Sequence, residues 1–136
     1  MQQLAQARKW IESGRIELAQ PFLTQLLSAN PSDSDALLLQ GIVFARQARF
    51  AESQAALEKV LVERPADYEA LSWLGLVLYS SGQKLEAIPV IGRALAIQGS
   101  DPSLWTYLGL CHLDLGHATQ AIDAFQHAIT LAPRAA

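Results

Sequence analysis

The sequence predicts an all-α fold of eight helices arranged as four helix–turn–helix units, on three observations. The chain's 136 residues hold four periods of 34, and such self-similarity decides what each segment means before any segment is assigned. Asp33, Asp67 and Asp101 recur at that period, as do the small residues Gly14, Ala48, Gly82 and Gly116 and the breakers Pro31, Pro65, Gly99 and Pro133. Between these points lie stretches of about 14 residues with helical apolar periodicity.

The units run over about 1–33, 34–67, 68–101 and 102–135. The first carries Ala7 and Trp10 on its opening helix, then Ala19, Leu23 and Leu26 before Pro31. Gln3 and Gln6 occupy two of its apolar slots, as suits a terminal unit with no neighbour to cover it. Pro21 stands within its second helix, and Pro89 in the same slot of the third unit. Proline in a helix interior costs ~3 kcal/mol, so a local kink or a late helix start is expected at both, with a hinge between units as the functional alternative. In the second unit Asp33 caps a helix bearing Leu37, Gly41 and Phe44, and Leu57 and Val60 follow on its partner. In the third, Asp67 precedes Leu71, Leu74, Gly75 and Leu78, with Ala87, Ile91 and Ala94 behind them. The fourth opens at Asp101-Pro102, where proline at the first helical position loses no bond. Gly14, Gly82 and Gly116 suit the left-handed residue that ends each first helix. Gly99 in the breaker slot, with Gly92 upstream, makes the joint between units three and four the loosest expected.

Trp105-x2-Leu108-Gly109-x2-His112, followed by Ala121-x3-Phe125-x2-Ala128 and Pro133, resembles the tetratricopeptide repeat, with His112 where an aromatic is usual. The resemblance covers the whole chain as a single domain, 1–136. It implies a right-handed α-solenoid superhelix whose first helices line a concave groove, and a protein–protein interaction module that holds a partner peptide or helix there. The repeat has a physical basis in close approach. Gly41, Gly75 and Gly109, with Ala7, stand where the first helix of a pair meets Ser53, Ala87, Ala121 and Ala19 of the second, and only small residues fit both sides. Leu57, Ile91 and Phe125 then fill the space beside the contact.

Composition excludes other classes. Ten basic against 13 acidic residues give a net charge of −3, which offers no field to attract nucleic acid or an anionic membrane. The apolar stretches 36–45 and 70–81 fall short of the ~18 residues a membrane span needs. The start, Met1 to Gln6, reads as no secretion signal, so a cytoplasmic location is expected, or a periplasmic one had a leader been removed. The single Cys111 excludes an intramolecular disulfide and a cysteine zinc cluster, and reads as a buried apolar group. His112, His117 and His127 include no pair at the i, i+4 spacing of a helical metal site, so neither metal nor cofactor is expected. No phosphate-binding glycine loop and no nucleophile elbow is present, and the chain is not expected to be an enzyme.

The recognition candidates lie on the stripe of each first helix turned away from its packing face. Helical periodicity places Arg8 there in the first unit, Leu38, Ile42 and Arg46 in the second, Trp73, Leu76 and Tyr79 in the third, and Thr106, Tyr107 and Leu110 in the fourth. This stripe is apolar and aromatic, as binding surfaces are, although Trp73 and Tyr107 would also serve as spacers between neighbouring first helices. It lacks the Lys, Asn and Arg set with which the family's co-chaperone type grips a carboxylate. Two alternatives stand beside a free-standing module: a scaffold or regulatory portion of a larger protein or enzyme, and a small secretion-type chaperone. At the far end, Ile122 and Ile129 share a face of the last helix, and the cap slot is Ala135, so no fifth helix is expected to cover them. That open face predicts a homo-oligomer or a longer array.

Overall fold

A computed structural model describes residues 2–132, and the chain divides into two compact units, Met1–Pro65 and Ala66–Ala136. The described residues form eight helices and no strand, an all-α repeat fold. Pro133 and Ala135, used above to close the fourth repeat, lie outside them.

The first unit holds α1 (Gln2–Glu12), α2 (Ile16–Ala29), α3 (Ser34–Arg46) and α4 (Phe50–Glu63). The second holds α5 (Tyr68–Ser80), α6 (Lys84–Ile97), α7 (Pro102–Asp114) and α8 (Ala118–Leu131). The Asp33 carboxylate accepts the amides of Asp35 and Ala36 at 3.1 and 3.2 Å, Asp67 accepts that of Ala70 at 2.9 Å, and Asp101 that of Ser103 at 2.9 Å. Each cap satisfies amides that the first turn leaves unpaired and contributes about 1 kcal/mol. Between the helices of each pair the chain passes through the left-handed region, at Gly14 (φ +81°), Gly82 (+86°) and Gly116 (+81°). Ala48 does the same at +60°, with a side chain that is strained there by ~1 kcal/mol.

In the first unit α1 packs on α2 and α3, α2 on α3, and α3 on α4. A Cβ added to Gly41 would stand 2.8 Å from Cγ and Cδ2 of Leu57, a side chain with no exposed area. Ser53, also fully buried, donates its hydroxyl to the Gly41 carbonyl at 2.7 Å, which turns a polar residue in a small-residue slot into a tether between the two helices. In the second unit α5 packs on α6 and α7, α6 on α7, and α7 on α8. The same close contact recurs there: a Cβ on Gly75 would lie 2.5 Å from Ile91 Cγ1, and one on Gly109 2.5 Å from Phe125 Cε1. Ala87 and Ala121 are buried on the facing helices.

The prolines do not delay their helices. Both α2 and α6 begin five residues before Pro21 and Pro89 and run through them. Each ring sits on the exposed side and removes only the bond to the carbonyl four residues earlier, so the rest of the ladder carries the helix across. At the joint between the third and fourth repeats, the Gly99 carbonyl accepts the Trp105 indole N–H at 2.9 Å, which ties the loop down.

Two substitutions with opposite signs test this register. Gly75→Ala forces a methyl into the Ile91 contact and is expected to lower stability by ~1–3 kcal/mol. Ala48→Gly relieves the left-handed strain and is expected to raise it by ~0.5–1 kcal/mol. Thermal unfolding followed by circular dichroism reads both, and shifts of the same sign would contradict the assignment.

Candidate functional site

In the second unit, Trp73 and Leu76 on α5 and Leu104 and Tyr107 on α7 each lie one helical turn apart, so both pairs face one side. With Ser72, Asp101 and Ser103 they line a cavity of about 220 Å³. Trp73, Leu76 and Tyr107 are half-buried and Leu104 is buried. Two hydroxyls on this side are committed to their own helices: Ser72 donates to the Tyr68 carbonyl at 2.8 Å, and the exposed Thr106 to the Pro102 carbonyl at 3.0 Å. Tyr107 rests against Tyr79 of α5, ring centroids 5.6 Å apart and planes at 52°. Lys84 Nζ stands 5.8 Å from the Tyr79 centroid and 3.5 Å from the Asp114 carboxylate. Leu110, one turn beyond Thr106 and Tyr107 on α7, is half-buried and does not line the cavity. The expected residues of the third and fourth repeats therefore split: Trp73, Leu76 and Tyr107 form the pocket, Tyr79 supports it, and Thr106 and Leu110 stand outside.

The first unit departs from expectation. Leu38 and Ile42 are core residues, 5% and 3% exposed, where the helical stripe placed them on an open surface. The reason is the position of α3, which packs against α1, α2 and α4 of its own unit and buries seven of its side chains, Leu39 among them. One accessible hollow of this unit is instead a space of about 310 Å³ lined by Leu4, Ala5, Arg8, Asp35 and Leu39. Arg8 belongs to it, half-buried, while Arg46 lies exposed at the end of α3. Asp35 is paired with Arg64, Oδ1 to Nη1 2.7 Å, so the hollow carries both signs of charge.

A thiol and two imidazoles, Cys111, His112 and His117, gather on α7 and the turn after it. Burial, reinforced by the Asp114 charge and opposed by Lys84, pushes the Cys111 thiol up to about 11. His112 is held below its ordinary value by burial and then by His117. The two imidazoles meet, Nδ1 to Nδ1 3.2 Å, a pairing that helical spacing did not anticipate because they stand five residues apart across the Gly116 turn. The third histidine, His127, stacks on Trp105 with centroids 4.1 Å apart. No group of three or more His, Cys, Asp or Glu among the described residues is placed to hold a metal ion. No described helix is long and apolar enough to cross a membrane.

Residues 49–128, more than half of the chain, match the family model described as anaphase-promoting complex, cyclosome, subunit 3, and residues 4–53 match a tetratricopeptide repeat model. The chain belongs to the tetratricopeptide repeat family. Solved structures similar to this tetratricopeptide protein include MamA 41-end from Desulfovibrio magneticus RS-1, at 26% identity and TM-score 0.85, over 93% of this chain and 72% of that one. A double mutant of MamA RS-1 aligns at 27% identity and 0.85, over 93% and 71%. MamA AMB-1 aligns at 24% identity and 0.87, over 96% and 77%, and at that identity shows the fold alone. No curated protein sequence matches the chain. Family and fold together make it a protein–protein interaction module.

The raised thiol gives a direct test of the α7 environment. Cys111 is expected to resist thiol-disulfide reagents at pH 8 in the folded protein and to react at once in denaturant, as read by reagent absorbance. Because the folded group binds its proton more tightly than the unfolded one, stability should fall as pH rises from 9.0 towards about 11. A fast native reaction would show the thiol to be accessible.

Proposed function

We propose that the module recognises its partner through the Trp73, Leu76, Leu104 and Tyr107 pocket, and that the partner contributes one large apolar side chain from an extended or helical segment. The single observation that carries this reading is a cavity walled by two half-buried aromatic rings and two leucines on neighbouring first helices. Such rings supply contact area at low entropy cost and dominate recognition energetics. Asp101 lines the same space, with one carboxylate oxygen engaged by the Ser103 amide, and favours a basic residue next to the anchor. On this reading the chain binds and holds, with no chemical step of its own.

A second surface is favoured by a separate observation: Ile122 and Ile129, two turns apart on one face of α8, are 57% and 67% exposed. We infer that this face is covered in use by a second copy of the chain.

Peptides selected on the protein from a display library should lose ~2 kcal/mol of affinity, about 30-fold, with Trp73→Ala plus Tyr107→Ala, at unchanged helix content. Full-strength binding by that double variant would remove the pocket from the function. Light scattering across a concentration series should show association that Ile122→Glu with Ile129→Glu abolishes. A chain that stays monomeric at high concentration would defeat the self-association reading and leave the pocket reading intact.

A further inference from the structure

In the second and fourth repeats the turn between the helices brings together two side chains five residues apart. In the second repeat Arg49 N–H donates to the Phe44 carbonyl at 2.9 Å, and the Arg49 guanidinium carbon lies 4.8 Å from the Phe44 ring centroid. The fourth repeat has the same turn, with His117 N–H donating to the His112 carbonyl at 2.8 Å and Gly116 in the left-handed region. The positions that hold a ring and a guanidinium in one repeat hold two imidazoles in the other. The shared backbone turn places both pairs of side chains within reach of each other.

We propose that His112 and His117 form a two-imidazole chelate for a divalent ion of the late first transition row, Cu²⁺, Ni²⁺ or Zn²⁺. Imidazole nitrogens bind such ions at about 2.0–2.1 Å, so the 3.2 Å between the two Nδ1 atoms corresponds to an N–metal–N angle of about 100°. That angle lies between the square-planar or octahedral value and the tetrahedral one. The ring planes are tilted by 47° with centroids 5.4 Å apart, and binding would require each ring to turn about its Cβ–Cγ bond until both Nδ1 lone pairs meet at the ion. The 3.2 Å contact fits one ring carrying its proton on Nδ1 and pointing it at the bare Nδ1 of the other. On binding, the donor ring shifts to the tautomer protonated at Nε2, and both neutral rings present Nδ1 to the ion with no net proton released. With no third ligand of the His, Cys, Asp or Glu type grouped with the pair among the described residues, water fills the remaining positions. Affinity then follows the intrinsic order of the ions, Cu²⁺ ahead of Ni²⁺ and Zn²⁺.

The test is titration of the tag-free full chain with Cu²⁺ and with Zn²⁺ in a non-coordinating buffer, by calorimetry and by electron paramagnetic resonance of the copper form. One Cu²⁺ per chain is expected, bound more tightly than Zn²⁺ and with hyperfine structure from two imidazole nitrogens. His117→Gln, at an exposed position, should keep the helix content and weaken binding by about 10- to 100-fold or more, since losing a ligand costs at least as much as losing a ligand's supporting partner. His112→Phe, which restores the aromatic seen at Phe44, should do the same, whereas His127→Gln should bind as the wild type does. Wild-type affinity in the folded His117→Gln protein, or a copper signal with a single imidazole nitrogen, would overturn the proposal.

Discussion

The close approach of the two helices in each pair is the constraint on which the rest depends. Where Gly41, Gly75 and Gly109 stand, a single methyl would fall within 2.5 to 2.8 Å of Leu57, Ile91 or Phe125. The helices can sit that near only because one side contributes no side chain and the other contributes Ser53, Ala87 or Ala121, all buried. The large side chain next to the contact then fills what the missing one leaves, so tight packing and a filled core come from the same pair of positions. The capping aspartates and left-handed turns serve this contact. They fix where each helix begins and how the chain reverses, so that the small residues come face to face.

That arrangement spends one side of each first helix on its own partner and leaves the other side to be decided by neighbours. On α5 and α7 that side opens into the Trp73, Leu76 and Tyr107 pocket. On α3 it is enclosed, and Leu38 and Ile42 go to the core. The two units therefore carry different chemistry on equivalent positions, an aromatic pocket in one and a hollow lined by Arg8 and Asp35 in the other.

Much of the fold was legible because it rests on local rules. Asp33, Asp67 and Asp101 cap as their spacing predicts, and Gly14, Ala48, Gly82 and Gly116 take the left-handed turn at one period. The side chains facing the recognition surface were harder. Periodicity says which way Leu38 points from its helix but not what stands opposite, and burial depends on the second fact. Pro21 and Pro89 allowed a late helix start that does not occur, since the cost of a proline in an average helix says nothing of a helix held by packing along its far face. The contact of His112 with His117 escaped notice because helical neighbours are three or four apart, and a rule for continuous helices does not reach across the Gly116 turn.

The three tryptophans stand in different repeats and in dissimilar surroundings. Trp10 meets Phe22 edge-on at 88°, Trp73 lines the apolar pocket, and Trp105 lies flat against His127 at 12° with its N–H on the Gly99 carbonyl. Each indole thus has its own polarity and its own adjacent quencher or aromatic. The chain consequently carries built-in fluorophores in its first, third and fourth repeats. Emission from variants that keep one indole at a time resolves where along the array unfolding starts, and whether a bound segment occupies the pocket, without any added dye.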